Sequence, residues 1–316
     1  MNKHQNKQKK IYRVRNWKAY NEALKQRGSL EFWVSDVVRA QWYATPMGTP
    51  GAPTIYSAVA IEAALTIRRL FHLPLRQTEG FVTSLFHQMN LKLSAPNYTT
   101  LSRRGRFLLV KLPKRKQKKT IVVIDSSGVK VYGEGEWKVR QHGVGKRRKW
   151  KKIHIGIDAD GEIRMGKVTD ATTSDASVTE SLLSQEAATI TAAFMDGAYD
   201  KRQVYDACKK RNIPRIAIPP RHDAKIWQHG NTKAPVHPRD ANLRHIRQRG
   251  RAHWKAASGY HQRSLVENTM FRYKTILGDK VMSREDSRQR TELELGFSIL
   301  NRMFQLGMPD SYAVTV

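Results

Sequence analysis

From residue 120 onward, hydrophobic positions fall into short runs separated by polar turns. Residues 120–132, Thr-Ile-Val-Val-Ile-Asp-Ser-Ser-Gly-Val-Lys-Val-Tyr, open on an unbroken apolar run. Such a run predicts a strand buried on both faces, and it carries Asp125. Residues 151–158 alternate apolar and polar like a second strand, Asp158-Ala-Asp-Gly161 reads as a hairpin turn, and 162–168 as the returning strand. Ser174 and Asp175 are helix-capping residues and predict a helix to about residue 187. A fourth strand, 189–196, ends on Asp196, followed by Gly197-Ala-Tyr. A helix over 200–211 and a strand over 213–218 come next. Residues 219–259 are basic, bear His and Pro, and are poorly periodic, so the pattern predicts no fold for them. Residues 260–274 lack Gly and Pro and predict a helix; a last helix spans about 290–305.

The first third has a different pattern. Residues 1–17 are polar and basic and read as a mobile arm. Helices are predicted at 17–27 and 31–43, and a loop rich in Pro and Gly at 45–53. Residues 57–71 make an amphipathic helix that Pro74 ends. The next helix, 76–89, has Leu75, Phe81, Leu85 and Phe86 as its expected buried face. A cap-rich turn then leads into a short helix bearing Tyr98, Thr99, Thr100, Ser102, Arg103, Arg104 and Arg106. Two helices, a turn and a basic helix outline a helix-turn-helix unit, whose last helix enters a major groove. A solvated basic helix has the same outline. The charge run at 111–119 reads as a linker, either a solvated hinge or a further phosphate contact. The expected architecture is therefore an all-α basic region, 1–118, followed by an α/β domain, 119–316, with an insertion at about 219–259. Three hairpin-like strands, then helix, strand, helix, strand, insertion and helix, is the element order of a ribonuclease-H-like fold.

Charge changes the picture. The 316 residues carry 57 Lys and Arg against 27 Asp and Glu, a formal charge of +30. The positive charge is densest at the start, with 22 basic against 5 acidic residues in 1–118. A field of that size points to a polyanion, with nucleic acid first and a membrane surface or an RNA-rich particle open on charge alone. Hydrophobic residues make up 40% of the chain, which fits a folded protein and not a basic tail. The single cysteine, Cys208, excludes an internal disulfide and any Cys-cluster zinc site, and reads as a small buried hydrophobe. No apolar run approaches the ~18 residues of a membrane span. Residues 1–10 have no apolar core behind them, so no secretory signal is expected and the cytoplasm is the expected location.

At about 100° per residue, Tyr260, Arg263, Glu267 and Lys274 fall on one helical stripe, a single carboxylate among cations. A solvated face with i,i+4 ion pairs has the same pattern. Asp125 and Asp196 each sit in or at the end of a buried strand, where a carboxylate is costly unless paired or bound to metal. Strand-end capping is the alternative for Asp125, and an ordinary Asp-Gly turn for Asp196. Seventy-one positions separate Asp125 from Asp196, and as many separate Asp196 from Glu267. In a ribonuclease-H-like order the first and fourth strands are parallel neighbours and the late helix crosses them, which would unite the three. Three ionised carboxylates need cations, and oxygen-only ligands favour Mg²⁺ or Mn²⁺, expected as two ions.

The stripe Tyr260, Arg263, Glu267 and Lys274 resembles the Tyr-two-Arg-three-Glu-six-Lys signature of the DDE transposases of bacterial insertion sequences. Three further stretches resemble one branch, the insertion sequence five family. They are Ile124-Asp-Ser-Ser-Gly-Val-Lys-Val-Tyr-Gly-Glu-Gly-Glu-Trp137, Trp150-Lys-Lys-Ile-His-Ile-Gly-Ile-Asp158 and Asp196-Gly-Ala-Tyr-Asp200. The resemblance covers about residues 28–309. It implies a catalytic triad of Asp125, Asp196 and Glu267 holding divalent metal. It implies cleavage at the ends of an element and joining of the freed 3′-hydroxyls to target DNA. Tyr260, Arg263 and Lys274 would hold the DNA backbone, and the N-terminal region would bind the terminal inverted repeats. Two ends must be handled, so a homo-oligomer on double-stranded DNA is expected, located on the nucleoid of a bacterium. The rival readings are a DNA-binding regulator that has lost catalysis and a nuclease that hydrolyses without joining.

Other side chains are weighed against that reading. Lys146-Arg-Arg-Lys149, that is Lys146, Arg147, Arg148 and Lys149, is a solvated turn or, in a DNA enzyme, a phosphate contact. Trp137, Trp150 and Trp227 sit in basic surroundings and suit either packing or base stacking, Trp227 being the better stacking candidate. The scattered histidines form no zinc-ligand spacing, and His154 reads as a structural histidine in a strand.

Overall fold

The computed structural model describes residues 11–46, 53–131, 150–228 and 235–314. Along the chain come β1 (Ile11–Val14), α1 (Trp17–Gln26), α2 (Leu30–Trp33), α3 (Asp36–Ala40), α4 (Ala58–Leu70), α5 (Leu75–Gln88) and α6 (Tyr98–Arg104). Then follow β2 (Lys119–Val131), β3 (Trp150–Ile157), β4 (Ile163–Asp170), α7 (Asp175–Leu183), β5 (Thr189–Met195), α8 (Arg202–Lys210) and β6 (Arg215–Ala217). The last part holds α9 (Pro238–Ser258), α10 (Ser264–Leu277), β7 (Lys280–Val281), α11 (Asp286–Leu306) and β8 (Ser311–Val314).

The main sheet runs β4-β3-β2-β5-β6, with β7 paired to the far end of β2. β2 is antiparallel to β3 and parallel to β5, the pairing expected of the first and fourth strands. Val122, Val123 and Ile124 of β2 are all fully buried, because both faces of the sheet are covered. Alternation sends Val123 to one core with Val266, Met270 and Tyr273 of α10, and Val122 and Ile124 to another with Leu182 of α7 and Val204 of α8.

The N-terminal helices form a third core that draws in Leu295 of α11. Glu292 of α11 is buried and paired with Arg68 at 3.3 Å and Arg69 at 3.1 Å, both on α4. One long helix therefore serves both the sheet and the helical layer.

Several expectations are corrected. The N-terminal region is not all-α, and residues 11–14 are not a loose arm. β1 pairs with β8 from Ile11↔Val314 to Val14↔Ser311, so the two ends of the described chain close on each other. The helix expected at 31–43 breaks after Trp33 and restarts at Asp36. The break lets the adjacent Trp33 and Val34 be buried in two different cores. The linker at 111–119 is not a free hinge. Lys114 donates to the carbonyls of Arg164 and Gln185, and Arg115 lies 2.8 Å from Asp160 and 3.4 Å from the buried Glu162. The insertion, without apparent period, contains α9, bent at Gly250 where φ is +84°. Among the described residues no helix is long and apolar enough to cross a membrane.

Candidate active site

Asp125 follows Ile124 on β2, and Asp196 follows Met195 on β5; Ile124 and Met195 are register partners in the parallel ladder. The two carboxylates thus stand on neighbouring strands at the same height. Alternation also sets their side. Val123 and Phe194, each two residues earlier, face the core shared with α10, so Asp125 and Asp196 face it too. Asp125 is half-buried, and one of its oxygens accepts the Ser126 backbone N–H at 2.8 Å. Asp196 accepts the Ala198 backbone N–H at 2.9 Å and caps the short turn Gly197–Tyr199. Turn capping and membership of the cluster are both true of it.

Glu267 enters from above on α10, one residue beyond the buried Val266. Arg263 bridges the cluster. Its guanidinium donates to Asp125 at 3.1 Å and also to Glu267. Tyr260 is not on the α-helix. The left-handed Gly259, φ +67°, ends α9, and Tyr260–Arg263 form a 3-10 turn before α10 begins. The tyrosine still reaches the site. Its ring packs on Trp254 at 5.3 Å, and burial, with Asp196, Asp125 and Glu267 nearby, raises its hydroxyl pKa against the pull of Arg263. Lys274 is half-buried two turns beyond Glu267, roughly 10 Å along the axis. Burial raises the pKa of Asp125 above the usual carboxylate range, and Asp196 and Glu267 push it the same way. The Ser126 N–H and Arg263 oppose that rise. The sheet and α10 thus converge three carboxylates, and a single arginine stands among them.

Two sequence models described as "Transposase DDE domain" match this chain, one over residues 25–134 and the other over residues 116–302. The second spans more than half of the protein and includes all three carboxylates. The chain belongs to the DDE transposase family. Among solved structures it is similar to the crystal structure of the Mos1 mariner paired end complex with Mn, at 12% identity and a TM-score of 0.22. That match covers 93% of this chain and 89% of the other, and is too slight to bear on fold or function.

Around the carboxylates, this DDE transposase buries polar groups that periodicity alone did not single out. Tyr199, fully buried, lies beside Ser126; burial, then Asp175, Asp125 and Asp196, raise its pKa. The cue was the tyrosine three residues after Asp196, in a turn where an exposed residue is the norm. His154 is opposite Ser126 in the β2–β3 register. Its Nε2 is 2.8 Å from Thr169 Oγ1 and its Nδ1 is 3.6 Å from Asp175. Burial lowers its pKa to about 4, with Asp175 opposing and Lys152 and Lys167 assisting.

A histidine depressed in this way is neutral when folded and takes up a proton on unfolding. Its contribution is complete above its ordinary value of 6.5 and is lost as pH falls toward about 4. The loss amounts to about 3 kcal/mol at most. Urea unfolding at pH 7 and pH 5 should therefore show a smaller acid penalty for His154→Gln than for wild type. Equal penalties would mean that His154 is not held neutral.

The remaining expected DNA contacts are distributed unevenly. Arg103 is exposed at the end of α6. Arg104 turns back to the Tyr56 carbonyl at 2.7 Å, and Arg106 pairs with Glu285 at 2.6 Å. Trp227 is half-buried, with the Arg239 guanidinium 4.0 Å and the Arg202 guanidinium 4.9 Å from its ring centre and Tyr205 at its edge. These neighbours pack against the half-buried ring. Lys146, Arg147, Arg148 and Lys149, with Trp137, lie outside the described residues. Trp150 is half-buried, with the Lys130 ammonium 5.8 Å from its ring.

Proposed function

We propose that this chain cuts DNA at the ends of a mobile element and joins the freed 3′-hydroxyls to target DNA. The observation that carries the reading is the convergence of Asp125, Asp196 and Glu267 on one face of the sheet in a DDE transposase family member. The strand order β4-β3-β2-β5-β6, antiparallel then parallel, supports a ribonuclease-H-like catalytic domain.

The donor set fits a hard divalent cation in chemistry: three carboxylates, oxygen only, against one guanidinium. Among the described residues, no three acidic, His or Cys side chains are gathered tightly enough to hold an ion as they stand. Arg263 occupies the space between Asp125 and Glu267. Asp125, Asp196 and Glu267 would hold Mg²⁺ or Mn²⁺, as two ions, once that guanidinium moves aside. When bound, such ions activate the attacking oxygen and stabilise the leaving one. Water attacks the phosphorus at the element end and the bond to the 3′-oxygen breaks. That 3′-hydroxyl then attacks a target phosphodiester and displaces a second 3′-oxygen. Arg263, Tyr260 and Lys274 line the approach. Their role is to hold the scissile strand, with Arg263 exchanging a carboxylate for a phosphate of similar bidentate geometry.

The element is read as a bacterial insertion sequence of the insertion sequence five family, and the transposase as acting on the nucleoid in the cytoplasm. Arg103 and the helical layer around it are assigned to binding the terminal inverted repeats. Two copies or more act together, because an element has two ends.

The test is a labelled duplex carrying the end of the element that encodes this chain, with and without a second duplex as target. Wild type should cut and join in Mg²⁺ and do neither in EDTA. Cutting without joining would make it a hydrolytic nuclease. Binding without cutting would make it a regulator.

A further inference from the structure

We propose that the bend of α9 is a second DNA-binding surface, which grips the phosphate backbone of the duplex beside the catalytic cleft. The proposal rests on reading the cleft as a DNA-cutting centre. Between Asp240 and Glu267 the chain has no acidic residue, yet it carries Arg244, Arg247, Arg249, Arg251, Lys255 and Arg263. Of these six, only Arg263 has an ion-pair partner among the described residues. Elsewhere the basic residues of this protein are often ion-paired, as Arg68, Arg69, Arg115 and Arg164 are, and at the start of α9 Arg239 pairs with Asp200. From Arg244 to Lys255 the charge on α9 has no counter-charge among the described residues.

The bend displays that charge. Gly250, φ +84° and ψ 158°, breaks the helix, and a side chain built on it would meet nothing within 4 Å. Arg247, Arg249 and Arg251 flank it and are all exposed. The shape is braced. His245 and His253 meet at 2.8 Å across the bend, and the buried Trp254 donates its indole N–H to Asn242 at 3.0 Å. Arg247 is tethered to the Ala224 carbonyl at 2.9 Å and Arg251 to the Pro220 carbonyl at 2.8 Å. Each tether uses part of a guanidinium with five donors, so the rest faces outward in a fixed place. The side chain of Arg249, between them, makes no hydrogen bond or ion pair to the described residues. Three exposed guanidinium groups around one bend suit contacts to backbone phosphates.

The surface is continuous with the cleft. Past the bend, the Lys255 ammonium lies 6.0 Å from the ring centre of Tyr260, and Tyr260 packs on Trp254. A duplex whose strand enters between Asp125 and Glu267 would pass over Tyr260 and Lys255 toward Arg249. That continuity assigns duplex DNA, and not an acidic protein, as the occupant.

The experiment measures binding of the full chain to a labelled mixed-sequence duplex by fluorescence anisotropy over a series of KCl concentrations. Each lost phosphate contact should flatten the slope of log affinity against log salt by about 0.9. Arg249→Ala is expected to flatten it by that amount and weaken binding several-fold, and Arg249→Lys to restore the slope. Combining Arg247→Ala, Arg249→Ala and Arg251→Ala should remove more than two contacts. If the triple variant loses its wild-type melting transition, the untethered Arg249 alone decides. Wild-type slope and affinity in Arg249→Ala would overturn the surface while leaving the transposase reading intact. A wild-type protein that binds no duplex at all would overturn both.

Discussion

Glu267→Gln is expected to lower strand cleavage and joining by about 10³-fold or more while duplex binding is retained. The amide keeps the shape of the side chain and removes one of the three charges that would hold the divalent cation. Loss of that charge stabilisation is worth several kcal/mol, and each 1.36 kcal/mol is tenfold in rate. The side chain of Glu267 is 53% exposed on α10, so packing should survive. Its ion pair with Arg263 is exposed enough that losing it should change stability by under about 1 kcal/mol. Asp125→Asn should behave in the same way for chemistry, with Arg263 left to pair with Glu267 alone. The measurement is single-turnover cleavage of the end-carrying duplex, with unfolding and binding followed in parallel. Near wild-type cleavage by Glu267→Gln would remove that residue from the site. Loss of cleavage together with loss of folding would make its role structural.

The largest effect on stability is expected from Glu292→Ala. Glu292 is 3% exposed and neutralises two buried arginines. It also accepts the backbone N–H of Met282 at 2.9 Å, that of Ser283 at 3.0 Å and the Ser283 hydroxyl at 2.6 Å. Removing it leaves Arg68 and Arg69 without a counter-charge between α4 and α11. Breaking a buried pair from one side costs about 3–5 kcal/mol. Burial alone would raise the pKa of Glu292, but Arg68, Arg69 and the Met282 N–H outweigh burial and hold it below its ordinary 4.5. A depressed carboxylate contributes stability that is present above that value and lost as pH falls below it. Urea unfolding at pH 7 should show the deficit, and the gap to wild type should narrow in acid. A variant within about 1 kcal/mol of wild type at pH 7 would mean that the helical layer does not depend on this contact.

Much of the sheet was legible in the chain. Unbroken apolar runs at β2 and β5 demanded burial on both faces, and that demand left Asp125 and Asp196 at strand positions where a carboxylate is conspicuous. The Arg263 to Glu267 spacing was legible for the same kind of reason, since four residues close a helical turn. The start of that helix was not. A glycine in the left-handed region and the packing of Tyr260 on Trp254 replace the expected first turn by a 3-10 turn. α9 was missed because its buried residues are Arg239, Asp240, Leu243 and Trp254, too few of them apolar to make a helical period.

The sequence by itself determined which carboxylates stand out at strand ends and on a helix, which runs must be buried, and that the chain carries a strongly positive charge. Local pattern suffices there, because strand alternation, helical spacing and charge are properties of neighbours along the chain. Only the tertiary structure decided which charges are available. Arg104, Arg106, Lys114, Arg115 and the aromatic Trp227 read as outward-facing residues, yet the fold spends them on carbonyls, carboxylates and ring contacts. The exposed Arg249 side chain on α9 has no such use among the described residues. Tertiary structure also decided that Arg263 stands between Asp125 and Glu267, and that β1 and β8 close the two ends of the described chain. Most of those outcomes depend on groups distant in sequence meeting in space, and such meetings leave no period in the chain.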